Sequence, residues 1–149
     1  MPRSTLTATL LSVALVFGAS VSALAESPAA TTAHAAKHKV IVQVSDSDPQ
    51  KWQLALNNIA NIQKDLGQAD VDIELVAYGP GIGMLKLDSK VADRIKDAIA
   101  AHVRVNACQN TMRGQRLTKD DMLPDIGYVP SGVVEIIKRQ EEGYSYLRP

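Results

Sequence analysis

Cys108 is the only cysteine in the 149-residue chain. It stands in "VRVNACQNTMRG", residues 103–114, where an apolar run gives way to polar residues and glycine. A cysteine at a strand tip, followed by a turn or helix start, can have its thiolate stabilised by backbone N–H groups and a nearby cation. Asn110, Thr111 and Arg113 follow at once, and Arg113 is the candidate cation. Such a thiolate attacks a disulfide, a persulfide or an electrophilic carbon. The competing reading is a small side chain that simply packs, as free cysteines often do. The residues alone leave both open. With no Cys-x-x-Cys, dithiol chemistry within one chain is excluded, and a single cysteine cannot form an internal disulfide. His102 is expected at the end of the strand opposite Cys108, which argues against a Cys–His pair.

The other chemistry-bearing patterns are weaker. "YGPGIG", Tyr78 to Gly83, has neither Rossmann nor P-loop spacing. The amides of Gly79, Gly81 and Gly83 could cradle an anion beside the cysteine, or the glycines could let another backbone approach closely. The plainer reading is a sharply bent connection. His34 and His38 are four apart, a metal-chelating spacing on a helix, but no Cys or carboxylate lies near them in sequence, so no metal site or cofactor is expected. Asp46 and Asp48 look like turn and cap residues. Asp120 and Asp121 look like first-turn helix residues. The charges of the last helix read as a solvated face, and "IEL" shows no catalytic pattern.

The totals bound what such a thiol could serve. Lys+Arg and Asp+Glu are sixteen each, giving a formal net charge of zero. With no basic block, one Phe and one Trp, neither a nucleic-acid footprint nor a base-stacking platform is supported. Residues 1–25 read as a cleaved signal peptide: Arg3, an apolar run from Leu10 to Val21, then Ala23-Leu24-Ala25. The run is shorter than the ~20 residues of a spanning helix, so no membrane association is expected after cleavage. A periplasmic home follows, and the thiol there must be buried, paired or kept reduced. Residues 26–38 are Ala/Thr/Ser/Pro-rich and read as a flexible leader. Residues 39–149 remain for a single domain.

Within it, elements alternate. Lys39–Ser45 reads as a β-branched strand. Asp48 caps a helix with Pro49 in its first turn, and Trp52, Ala55, Leu56, Ile59, Ile62 and Leu66 form one stripe before Gly67. Val71–Ala77 is a second strand, and "YGPGIGM" reads as neither regular element. Asp88 or Ser89 caps a helix ending near His102. Val103–Ala107 is a third strand with Cys108 at its tip. Thr118 and Asp121 have capping-box spacing. A short fourth strand is read at Ile126–Val129, then a helix from Pro130 and Ser131 through Val133, Val134, Ile136 and Ile137, then a fifth strand at "YSYLRP". This order predicts a three-layer α/β/α domain with a mainly parallel sheet of four to five strands. Ligands in such sheets bind beyond the carboxyl ends of the strands, which is where Cys108 is expected. Ile82, Met84 and Leu85 fall in a loop and predict cover by a neighbouring subunit.

"IELVAYGPGIGML", "VRVNACQNTM" and "YVPSGVVEIIKRQEEGYSYLRP" together resemble the DsrE/DsrF-like family, in particular its small secreted members. The resemblance implies the parallel three-layer fold and assembly as a dimer, trimer or hexamer with the cysteine loop near a subunit boundary. In the family's sulfur-relay members a cysteine after a central strand carries a persulfide and exchanges sulfur with donor and acceptor proteins, and Cys108 matches that position by order of elements. The expectation is a periplasmic protein handling sulfane sulfur or thiol-reactive species through Cys108, with sulfurtransferase-like activity. The glycine loop and Asn110 would shape the pocket. The alternative is a non-enzymatic oligomeric binding module with a structural cysteine.

Overall fold

Alternating apolar side chains build five parallel strands in the computed structural model, which describes residues 36–149. The signal segment and most of the leader, His34 included, lie outside the described residues. The strands are β1 (His38–Val44), β2 (Val71–Ala77), β3 (Arg104–Cys108), β4 (Gly127–Val129) and β5 (Ser145–Leu147). Their spatial order is β4-β3-β2-β1-β5. The chain steps one way from β1 to β4, then returns across the sheet to β5. Right-handed crossovers put helices on opposite faces for the two directions, and that rule sets the layers. Helices α1 (Pro49–Leu66), α2 (Ala92–Ala100) and the short α3 (Gln109–Gly114) belong to the outward steps, and α4 (Gly132–Glu141) to the return.

Register follows from the alternation. Val40, Val42 and Val44 lie beside Ile73, Leu75 and Ala77, and Leu75 and Ala77 beside Val105 and Ala107. This face packs on Trp52, Ala55, Leu56 and Ile59 of α1 and Ile95 and Ala98 of α2, forming the main core. The other face carries Ile41, Val76 and Val129 against Ile136 of α4 and Tyr144. The Asp48 carboxylate accepts the Gln50 N–H at 2.8 Å, and Pro49 occupies the first turn of α1. Gly67 ends that helix at φ +90°, where only glycine is comfortable. None of the described helices is long and apolar enough to cross a membrane.

Three expectations are corrected. Gly79–Leu85 is not irregular; it forms 3₁₀ turns. Within them Ile82, Met84 and Leu85 are fully buried in this chain's own core, so they need no neighbouring subunit. The charges of the last helix are not simply a solvated face. Glu74, mid-β2, is completely buried and meets Arg139 of α4 and Arg104 of β3.

Candidate functional site

β3 ends at Cys108, which is also the residue that caps α3. The side chain lies on the α4 face, because Asn106 and Cys108 alternate with Val105 and Ala107 of the main core. The start of α4 descends onto it. The Gly132 N–H donates to Cys108 Sγ at 3.2 Å. A Cβ at Gly132 would stand 3.1 Å from Tyr78 and Val76 side-chain atoms, so glycine lets the helix start approach this closely. Asn110 N–H donates to the Pro130 carbonyl at 3.2 Å, tying α3 to the segment that leads into α4.

Two neighbours complete the surroundings. Thr111 Oγ1 accepts the Gly79 N–H at 2.9 Å, leaving its own proton free to point elsewhere. From α3 the Thr111 hydroxyl and amide and the Asn110 amide also favour the charged sulfur, the Asn110 N–H while bonded to the Pro130 carbonyl. Burial pushes the thiol up, but the Thr111 hydroxyl and the amides of Gly132, Thr111 and Asn110 outweigh it and hold Cys108 below the ordinary thiol value. Cys108 is therefore buried, at 4 % exposure, with polar donors beside its sulfur. That is an environment for a thiolate, a nucleophile whose accepting lone pairs are already matched.

The other expected residues fall out differently. Arg113 belongs to the same short helix, but its guanidinium turns to the Asn110 side-chain oxygen. The donors named above, not an arginine charge, account for the thiol's shift. Gly79 and Gly81 do not present open amides. The Gly79 N–H is bound to Thr111, and the Gly81 N–H donates to the Tyr78 carbonyl at 3.1 Å. Gly81 is needed for close approach instead: a Cβ there would lie 2.4 Å from the Val44 carbonyl oxygen. A Cβ at Gly83 would meet the Trp52 ring at 3.3 Å. The glycine loop thus supports the site by locking Thr111 in place. His102 precedes β3 and lies at its far end from Cys108. Among the described residues no cluster of three or more His, Cys, Asp or Glu side chains could hold a metal.

Thr111 and Gly132 are the residues sequence reasoning missed as partners of the sulfur. Thr111 carried a signal: it stands three residues after the helix-capping cysteine, where capping partners sit. Gly132 carried none, since its role depends on where α4 lands.

Comparison with protein-family models matches residues 38–149 to the DsrE/DsrF-like family. No curated protein matches significantly. Among solved structures, the protein of unknown function MTH1491 from Methanobacterium thermoautotrophicum is 35 % identical, with a TM-score of 0.72, covering 75 % of this chain and 99 % of that one. The conserved protein of unknown function BT1422 from Bacteroides thetaiotaomicron is 12 % identical, with a TM-score of 0.62, covering 74 % and 94 %. The ychN protein from E. coli is 14 % identical, with a TM-score of 0.59, covering 76 % and 99 %. The last two speak for the fold alone.

Proposed function

Because this chain belongs to the DsrE/DsrF-like family, we propose that it handles sulfane sulfur through Cys108, acting as a carrier rather than a hydrolase or redox enzyme. The observation that carries this reading is the set of donors converging on a single buried sulfur. In the transfer step the Cys108 thiolate attacks the outer sulfur of a low-molecular-weight hydropersulfide, R–S–SH. The donor S–S bond breaks as the new one forms. R–S⁻ departs, and Cys108 is left as Cys–S–SH. The same amides then stabilise the persulfide anion, and attack by an acceptor thiolate on the outer sulfur returns the resting thiolate. Burial favours a small donor, since a bulky one cannot reach the sulfur without moving the start of α4. The signal-peptide pattern of residues 1–25 supports a periplasmic setting for this activity.

Incubation with a hydropersulfide donor followed by intact-mass measurement tests the reading. The expected result is a gain of one sulfur, lost in Cys108→Ser. No adduct, from a thiol no more reactive than in the unfolded chain, would eliminate it.

A second reading, an oligomeric binding module with a structural cysteine, is favoured by the 4 % exposure of Cys108. Native labelling by a small alkylating agent separates the two: reaction before denaturation supports the carrier, and protection until denaturation supports the structural role. Either reading includes self-association. The exposed apolar side of α4, with Tyr146 exposed as well, supports a homo-oligomer whose boundary passes near the cysteine. Sedimentation as a concentration-independent monomer would refute it.

A further inference from the structure

Helix α4 touches the sheet at few points. At its start Gly132 packs on Val76 and Tyr78 and supplies the N–H to Cys108. At its middle Ile136 is buried. Near its end Arg139 reaches down to Glu74, which is wholly buried on β2. Arg139 Nε and Glu74 Oε2 are 2.7 Å apart, an ion pair without the alignment of a hydrogen bond. Val133, Val134 and Ile137 face away and contribute little to its seating. The helix is thus seated by Ile136 and, just past its end, by Tyr144, between two polar anchors, Gly132 and Arg139. These lie seven residues apart, about 10 Å at 1.5 Å per residue.

We infer that the Glu74–Arg139 ion pair is a positioning device for the thiol: it fixes the tilt of α4 over the sheet and so keeps the Gly132 N–H on Cys108 Sγ. The inference rests on the reading of Cys108 as a stabilised thiolate. The partners of each group support it. Besides Glu74, Arg139 pairs with Glu135 and Glu142, each at 2.9 Å and both on the α4 side. Without the Glu74 charge the guanidinium therefore remains neutralised from its own segment, and the tie to the sheet is lost. Glu74, by contrast, keeps Arg104 Nη1 at 3.2 Å and Asn106 Nδ2 at 2.8 Å, both from β3, when Arg139 is removed. Arg104 in turn is held by Asp72 at 2.8 Å and by the Tyr144 hydroxyl. Glu74 therefore stays partnered without Arg139; Tyr144, which also donates to Asp72, still ties the end of the α4 segment to the sheet, and the pair adds the tie from the helix itself. A shift of about 1 Å at the Gly132 end is enough to take a 3.2 Å contact out of hydrogen-bond range.

The test is the pH midpoint of Cys108 ionisation in the full chain, followed by alkylation rate against pH, in Arg139→Gln, Glu74→Gln and Glu142→Gln. Arg139→Gln leaves Glu74 partnered and is the variant expected to keep its fold, checked by circular dichroism. The midpoint should rise by about one pH unit in Arg139→Gln and Glu74→Gln, which is about tenfold less thiolate at any pH well below the midpoint. It should not move in Glu142→Gln, which removes only an exposed partner. Simple loosening would raise the alkaline plateau rate without moving the midpoint, so the two effects separate. A folded Arg139→Gln with an unmoved midpoint overturns the inference. An ordinary thiol midpoint in the unsubstituted protein overturns the thiolate reading itself, and this inference with it.

Discussion

Replacing Thr111 by valine keeps the side-chain shape and removes the hydroxyl, and its effect on Cys108 can be worked out. The hydroxyl oxygen accepts the Gly79 N–H at 2.9 Å, and the group ranks first among those that lower the thiol's pKa. Hydrogen bonds to a charged group contribute about 1.5–3 kcal/mol. Three amides also lower the thiol's pKa and remain in the variant, so the low end applies, about 1.5 kcal/mol. One pKa unit is about 1.4 kcal/mol, so Thr111→Val should raise the Cys108 midpoint by about one unit. Well below that midpoint the alkylation rate should fall about tenfold. The Gly79 N–H loses its acceptor as well, and an unsatisfied, partly buried amide should cost about 1 kcal/mol of folding stability. Thr111→Ser should restore both. The assay is the rate of modification by a small haloacetamide across pH, beside a urea melt. A folded Thr111→Val with the parent's midpoint would refute the claim that this hydroxyl stabilises the thiolate.

Removing the thiol should make stability depend differently on pH. The folded thiol pKa lies below its ordinary value of 9.0, so the unfolded chain binds more protons in between, and the contribution of Cys108 grows as pH rises through that window. The stability of the parent relative to Cys108→Ala should therefore increase from neutral to alkaline pH in paired urea melts, and a flat difference would contradict it. Gly81→Ala drives a Cβ to 2.4 Å from the Val44 carbonyl oxygen, a backbone atom at the end of β1. It should cost at least about 3 kcal/mol by urea melt, the upper end for overpacking; a loss under about 1 kcal/mol would show that the loop can yield. Asp48→Ala removes the cap on the Gln50 N–H and should cost about 1 kcal/mol, leaving the Cys108 midpoint untouched.

What was legible in the sequence was local. Val71–Ala77 reads as a strand because its apolar positions alternate and then close up, and the structure gives it those bounds. Asp48 and Pro49 mark the start of α1 by capping chemistry that needs no tertiary knowledge. β3 runs Arg104–Cys108, one residue later than Val103–Ala107, with Cys108 at its tip as expected. Strand order was not legible, because parallel strands share one local pattern and the order is set by how the crossovers pack. The same limit hid the sulfur's best donor. Gly132 comes 24 residues after Cys108 and reaches it only because α4 crosses back over the sheet. "IEL" showed no catalytic pattern, and the burial of its Glu74 is explained by partners that the fold brings to it, Arg104 and Asn106 from β3 and Arg139 from α4. The glycine loop misled for a related reason. Its composition suggested irregular backbone with free amides, whereas contacts with Thr111 and with the end of β1 turn it into ordered 3₁₀ structure.

The claim on which the account depends is that the native fold holds the ionisation of Cys108 below the ordinary thiol range. Ultraviolet thiolate absorbance of the native chain, with Cys108→Ser subtracted to remove the tyrosines, reads that directly, since Cys108 is the only cysteine. The account predicts one transition centred below the ordinary thiol range, moving up to that range in denaturant. A native transition at or above the denatured one would contradict it.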